Sequence, residues 1–306
     1  MYCNHALDGF FVVNKPKGWT SFDVVAKLRR VLGVQKIGHC GTLDPMATGV
    51  LVIGVGKATR LFEYMSGLEK EYEAVMEFGK VSDTDDAEGA VSETGFYEEI
   101  SLADVKKALI DFYGEIEQIP PAFSAIHVKG QRSYDLVRKG KAVSVQSRIV
   151  MIFELRVIRY EFPHLRMRVV CSSGTYIRSL ARDIGKKLGC GAILTELTRM
   201  RVGEFRLQAD CHSRREGRLG RPLPIGDLCE NLSELKMIDM SVAVKHLPRI
   251  DLDLDEFQAI QKGQKIQVKV ALFAKSDEIF SGFYNGELVS ILRYAGGDFL
   301  LPMKNL

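Results

Sequence analysis

The sequence has no apolar run long enough to cross a bilayer. The longest obvious one, residues 50–55, falls far short of the roughly 20 residues a transmembrane helix needs. Residues 1–9 show no basic cluster followed by a hydrophobic stretch, so no secretory leader is expected and the cytoplasm is the expected compartment. Cysteine is sparse: six residues, at 3, 40, 171, 190, 211 and 229, with no CxxC pair. A chain of this size with a real core does not need a disulfide framework, and Cys211-His212 has no second pair at zinc-site spacing, so the thiols read as structural or incidental. No GxGxxG phosphate-binding motif occurs. Internal repeats are also missing.

Charge of one sign is lacking overall, since the net charge is only +3. Its distribution is uneven, however. Residues 129–148 hold six Lys/Arg against one Asp, and residues 199–221 hold seven Arg against three acids. Residues 83–99 hold seven carboxylates and no Lys or Arg. Such segregation suits a protein with one surface turned to phosphates, although each run taken singly also reads as a solvated face. With 306 residues, 46% hydrophobic and 26% charged, the chain can bury a sizeable core and reads as one large domain plus a small one.

The most informative stretch is Gly38-His39-Cys40-Gly41-Thr42-Leu43-Asp44-Pro45-Met46-Ala47-Thr48-Gly49. Three glycines and a proline surround a single carboxylate, Asp44. Glycine permits tight turns and close approach of other groups, and Pro45 biases Asp44 away from the α region. Such a loop can present one acid rigidly, although Asp before Pro by itself also reads as a turn.

Local patterning places the surrounding elements. Residues 10–14 read as a strand. A capping box at Thr20-Ser21-Phe22-Asp23 starts a helix over 20–32, and residues 50–55, apolar on both faces, suit a central strand. Residues 57–66 read as a helix, with Ala58, Leu61, Phe62 and Met65 on one side. Over 70–78, Tyr72, Ala74, Met76 and Phe78 alternate with glutamates, so Tyr72 points to the buried side and on pattern alone reads as a core residue. Residues 80–98 read as an acidic, mobile excursion, and 101–113 as a helix. Pro120-Pro121 breaks the chain; 122–146 read as strand, turn, short helix and basic loop. Met151, Phe153, Leu155 and Val157 share one strand face, and Leu165, Met167, Val169 and Cys171 another, giving an antiparallel hairpin. The next helix carries Arg178 in its first turn, where the dipole disfavours a cation. Residues 210–222 read as an exposed connector. Strands near 266–272 and 286–294 suggest a small separate β domain.

Five segments in order carry a resemblance. They are the loop above, Asn14-Lys15-Pro16-Lys17-Gly18-Trp19-Thr20-Ser21, Lys70-Glu71-Tyr72, Ser172-Ser173-Gly174-Thr175-Tyr176-Ile177-Arg178-Ser179-Leu180, and Leu197-Thr198-Arg199-Met200-Arg201-Val202-Gly203. Together they resemble the TruB family of tRNA pseudouridine synthases. The resemblance implies an α+β fold, with a mixed, mainly antiparallel central sheet flanked by helices over residues 1–235. It further implies a small PUA-like, RNA-binding β domain over 240–306. It makes Asp44 the catalytic nucleophile, Arg178 its ion-pair partner and Tyr72 the group that moves the proton. It assigns His39 to the space left by an extruded base, Tyr176 and Leu197 to contacts with that base, and Lys15 to the substrate site. The implied substrate is the T-arm stem-loop of tRNA, isomerised at position 55 by a stand-alone monomer with neither metal nor cofactor.

The residues fit that chemistry. Pseudouridine formation breaks a glycosidic bond and rejoins the uracil through carbon 5, with no redox change. It needs an ionised carboxylate beside the sugar and a proton-handling group. A base stacked in folded RNA must flip out to reach them. Three rival readings stand beside this one: a dyskerin-type enzyme that shares the GTLDP core but works in a guide-RNA particle, an RNA-binding module whose catalysis is dispensable, and a Cys–His hydrolase using Cys40 or Cys171.

Overall fold

A computed structural model describes residues 7–96, 98–123, 145–207, 237–267 and 277–306, together with short strands at 127–128, 131–132 and 223–224. In chain order the first strands are β1 (Gly9–Lys15), β2 (Ile37–Cys40), β3 (Thr48–Val55), β4 (Lys70–Phe78), β5 (Lys80–Ser82), β6 (Val91–Glu93) and β7 (Gly114–Gln118). They are followed by β8 (His127–Val128), β9 (Gln131–Arg132), β10 (Arg148–Glu161), β11 (His164–Cys171), β12 (Ala192–Val202), β13 (Phe205–Arg206) and β14 (Leu223–Pro224). The helices that matter for the site are α1 (Ser21–Leu32), α2 (Phe62–Met65), α3 (Leu102–Leu109) and α4 (Ile177–Leu188).

The main sheet has ten strands and runs β14-β1-β3-β12-β4-β11-β10-β7, with β2 on β3 and β13 on β12. All its pairings are antiparallel except β1 with β14 and β12 with β3. The sheet is therefore mixed and mainly antiparallel, as expected. β3 is buried on both faces: Leu51 and Ile53 pack with Val24, Val25 and Leu28 of α1, while Val50 and Val52 pack against Ala58, Leu61 and Met65. The capping box opens α1, with Thr20 Oγ1 accepting from the Asp23 N–H at 3.1 Å and the Thr20 N–H donating to Asp23 Oδ2 at 2.9 Å.

Close approach of β3 to β12 depends on Gly49. Its φ is +101°, and a Cβ there would lie 2.2 Å from the Arg199 carbonyl oxygen. This crossing brings the Asp44 loop against β12 and β4. On the other half of the sheet, Ala74, Met76, Leu165, Met167 and Val169 form a core with Leu180, Ala181 and Ile184 of α4 and with Val105 and Leu109 of α3.

Several expectations change. Residues 57–66 form a 3₁₀ helix over Gly56–Leu61 followed by the single turn of α2, with the expected residues buried or half-buried. The strand face drawn through Met151 and Phe153 is wrong. Val150 and Ile152 are buried, Phe153 is exposed, and a register shift between Ile152 and Glu154 returns Leu155 and Val157 to the core. A β-bulge inserts one residue and flips every side chain after it, which periodicity cannot foresee.

The acidic excursion is also not the mobile segment expected. β5 and β6 pair as a hairpin, Asp86 bridges Leu194 of β12, and Asp86 is buried. Of the strand, turn, short helix and basic loop expected over 122–146, residues 133–144 lie outside the described residues, as does the connector expected over 210–222.

The C-terminal strands β15 (Arg249–Asp251), β16 (Ile266–Gln267), β17 (Ile279–Tyr284), β18 (Glu287–Tyr294) and β19 (Phe299–Asn305) form a second sheet, ordered β15-β17-β18-β19-β16. A helix, α5 (Leu254–Gln261), joins it. Leu252, Ile260, Phe280, Leu292 and Leu300 form its own apolar cluster, while Phe283, Leu288 and Ile291 pack onto the main sheet's core beside Leu61 and Met65.

Candidate active site

Asp44 stands on a loop tied down on every side. Leu43, Met46 and Ala47 are buried in the core, each of the two larger side chains contributing about 1.5–3 kcal/mol of burial. Ser21, the first residue of α1, donates from Oγ to the Leu43 carbonyl (3.3 Å) and accepts from the Leu43 N–H (3.0 Å). The Pro45 carbonyl accepts from the Gly18 N–H (2.8 Å) and from Lys15 Nζ (3.1 Å). The Ala47 N–H closes a turn on the Asp44 carbonyl at 3.0 Å. What remains is the Asp44 side chain, 36% exposed, at a cavity of about 410 Å³. That volume lies in the usual range of small-ligand sites.

Arg178 meets it from α4. Its Nε lies 2.9 Å from Asp44 Oδ2, although the N–H is not aligned on that oxygen, so the contact is electrostatic rather than a directed hydrogen bond. The rest of the guanidinium is anchored. Nη1 donates to the Thr84 carbonyl (3.0 Å) and lies 3.5 Å from Asp86 Oδ2, while Nη2 donates to the Phe123 carbonyl (3.1 Å). Asp86 is itself fixed, its Oδ1 accepting from Thr84 Oγ1 (2.6 Å) and the Glu88 N–H (3.0 Å). One buried guanidinium thus bridges two carboxylates, which explains a cation set against the helix dipole.

Tyr72 lies on β4 directly opposite Arg199 of β12 and lines the same cavity. Burial pushes its phenol pKa up, and the neighbouring Arg199 guanidinium opposes part of that shift. His39, Tyr176 and Leu197 also line the cavity. Burial, then repulsion from Arg199, lowers the His39 pKa, so its ring is neutral near pH 7 and suited to stacking. Its Nδ1 is buried without a partner among the described residues.

Six of the seven sequence-derived site residues therefore converge on one cavity. Lys15 does not. It is fully buried and donates to the carbonyls of Pro16 (2.9 Å), Trp19 (2.6 Å) and Pro45 (3.1 Å), so it holds the Asp44 loop instead of reaching a substrate. Burial lowers its pKa to about 8, eased by the Asp44 charge. The folded value lies below 10.5, so the penalty of a buried charge acts below pH 8 and is released as pH rises. Deprotonation by itself consequently adds stability above pH 8 but leaves the neutral amine one donor short of its three carbonyls. Turnover should fall as pH rises through about 8 without a matching fall in melting temperature, and Lys15→Met should lack that step. A pH–rate profile unchanged in the variant would overturn this role.

Sequence reasoning missed four residues. Asp86 was counted among seven similar carboxylates, and nothing local marks it as the one that turns inward. Arg199 was read as part of a basic run, yet it is buried on backbone carbonyls, and Arg201 pairs with Glu69 and Glu71. These two arginines are spent inside the fold and are not available to phosphates. Lys70 lines the cavity too. Gln118, fully buried, accepts from the Tyr176 N–H (2.8 Å) and donates to the Tyr176 carbonyl (3.0 Å), fixing that wall. Its place two residues before Pro120-Pro121 was its only signal, and a weak one. Among the described residues no cluster of three or more His, Cys, Asp or Glu could hold a metal.

Residues 29–177 match the model of the TruB family pseudouridylate synthase N-terminal domain, and residues 178–215 that of the tRNA pseudouridylate synthase B C-terminal domain. The chain is 40% identical over 264 residues to tRNA pseudouridine synthase B of Dehalococcoides mccartyi, covering 85% of this chain and 84% of that one. It is 40% identical over 303 residues to the protein of the same name from Arthrobacter sp., covering 95% and 94%. Among solved structures, a chain of an H/ACA RNP bound to a substrate RNA containing 2′-deoxyuridine shares the fold, with a TM-score of 0.73 at 24% identity over 98% of this chain and 86% of that one. Fold and site together define a pseudouridine synthase, an isomerase. Within that class the chain belongs to the TruB family.

Proposed function

We propose that this chain isomerises the uridine at position 55 in the T-loop of tRNA, as a stand-alone cytoplasmic monomer needing neither guide RNA nor cofactor. The observation that carries the reading is the Asp44–Arg178 pair, 2.9 Å apart, on a cavity also lined by the buried phenol of Tyr72. The names of the relatives supply the class of RNA.

In this reading Asp44 is the nucleophile, held by Arg178 so that its carboxylate needs no reorganisation at the moment of reaction. Tyr72 relays the proton that leaves carbon 5, and its raised pKa keeps it a neutral donor until the base needs it. The extruded uracil lies between Tyr176 and Leu197, and neutral His39 fills the gap it leaves, offsetting the few kcal/mol of unstacking. The division into a catalytic domain over 1–235 and a PUA-like domain over 240–306 that contacts RNA is part of the same reading, supported by the separate five-stranded sheet and its own apolar cluster.

The decisive test incubates purified protein with an isolated T-arm stem-loop, with no other RNA, and maps pseudouridine. Isomerisation confined to position 55 is expected. Activity only on addition of a guide RNA would favour the dyskerin-type alternative. Affinity should also fall with salt, the logarithmic slope being about 0.7–0.9 per phosphate contacted; a salt-insensitive affinity would remove the phosphate-binding role of the basic segments.

A further inference from the structure

Two cations in the cavity wall have no part in the scheme above. Arg199, 1% exposed, donates from Nε to the Val50 carbonyl (2.8 Å) and from its terminal nitrogens to the carbonyls of Gly41 (3.0 Å) and Thr42 (3.4 Å). Lys70, 8% exposed, donates to the carbonyls of Leu68 (2.7 Å) and Ser66 (3.2 Å). Every acceptor is neutral. Among the described residues neither side chain forms an ion pair with a carboxylate, and the carboxylate of the cavity, Asp44, is taken by Arg178. Tyr72 stands beside both cations, two residues after Lys70 on the same strand face and opposite Arg199 across the β4–β12 pairing.

A buried charge without a counter-charge is costly, and two on one wall repel each other. Burial and Arg199 both act to lower the Lys70 pKa, as that repulsion requires. The arrangement becomes favourable when negative charge forms in the cavity, because fixed cations in a dry site stabilise it without reorganising. The proposed isomerisation forms such a charge. As the Asp44 carboxylate bonds to C1′, the C1′–N1 bond breaks and its electron pair leaves with the uracil, an anion delocalised over N1, O2 and O4. After the ring turns, C5 attacks C1′ and the Asp44–C1′ bond breaks. The C5 proton is then lost and N1 gains one, both through Tyr72, so atoms and charge balance.

We propose that Lys70 and Arg199 stabilise the detached uracil anion while it turns within the cavity. The inference rests on the isomerisation proposed above. Its energetic basis is that the wall carries two positive charges with no paired carboxylate among the described residues, and the intermediate supplies the opposite charge.

The test compares T-arm stem-loops carrying uridine or 5-fluorouridine at the target position, with glycosidic cleavage followed in single turnovers at saturating enzyme. Fluorine at C5 makes the uracil anion intrinsically more stable, so the demand on the wall falls. Lys70→Met should lower the rate on uridine by about 10²-fold, but on 5-fluorouridine by about tenfold or less, with RNA affinity unchanged. Arg199→Lys, which keeps the charge but not the three-carbonyl grip, should lose less than Arg199→Met. If the methionine variant at 199 does not fold, the Lys70 comparison decides alone. Equal losses on the two RNAs, or a loss confined to affinity, would overturn the proposal. An inactive wild-type protein would instead sink the parent reading, so the two failures are distinguishable.

Discussion

Asp44→Asn is expected to abolish isomerisation, with a loss on the order of 10⁴-fold or more, while RNA affinity and melting temperature stay close to those of the wild type. Asparagine matches the shape of the carboxylate but cannot form the bond to the substrate. The fold should tolerate the change because Arg178 keeps its contacts with Asp86, Thr84 and Phe123 and is not left alone in the core. The loop is likewise held through Leu43, Pro45 and Ala47, none of which uses the Asp44 side chain. Single-turnover assays and filter binding on the same RNA would check both halves of this prediction. Product formation by the variant at even a tenth of the wild-type rate would remove Asp44 from the chemistry.

Arg178→Ala should be almost as damaging, but in two ways at once. A pairing with the catalytic carboxylate alone would predict more damage to turnover than to stability. Burial changes that expectation. Removing the guanidinium strands Asp86 without its cation and takes a donor from the carbonyls of Thr84 and Phe123, a cost of about 3–5 kcal/mol. Turnover should fall by roughly 10³-fold in the fraction that remains folded. Arg178→Lys separates the effects: it restores a positive charge and part of the stability, but cannot bridge two carboxylates and two carbonyls together. It should recover melting temperature more than activity. If the lysine variant were fully active, the forked geometry would be irrelevant. If the alanine variant were as stable as wild type, the proposed anchoring by Asp86 would be wrong.

The fold was legible wherever side-chain period and local capping agree. α1 begins at its capping box, β4 buries every second residue from Lys70 to Phe78, and β3 is covered on both faces as its unbroken apolar run requires. The failures share a cause. The bulge in β10 displaces the buried face by one residue, and its position depends on how β10 meets β11 rather than on its own sequence. The inward turn of Asp86 depends on a guanidinium almost a hundred residues away. Lys15 and Arg199 are drawn inward by backbone carbonyls of other segments, and a cation satisfied by carbonyls leaves no complementary acid in the sequence to betray it.

By itself the sequence determined the chemical parts: a rigid loop with one acid, an inward-facing tyrosine, an arginine opposing its helix dipole, and an α+β pattern of elements. These follow from forces acting within a few residues, namely backbone sterics, capping and the alternation of apolar side chains. Only the tertiary structure decided which charges face one another. It made Arg178 a bridge between Asp44 and Asp86, turned Lys15 into a brace for the loop, and set Lys70 and Arg199 in the cavity wall with no paired carboxylate among the described residues. Those outcomes are set by desolvation and by distances between segments far apart in the chain, which no local pattern encodes.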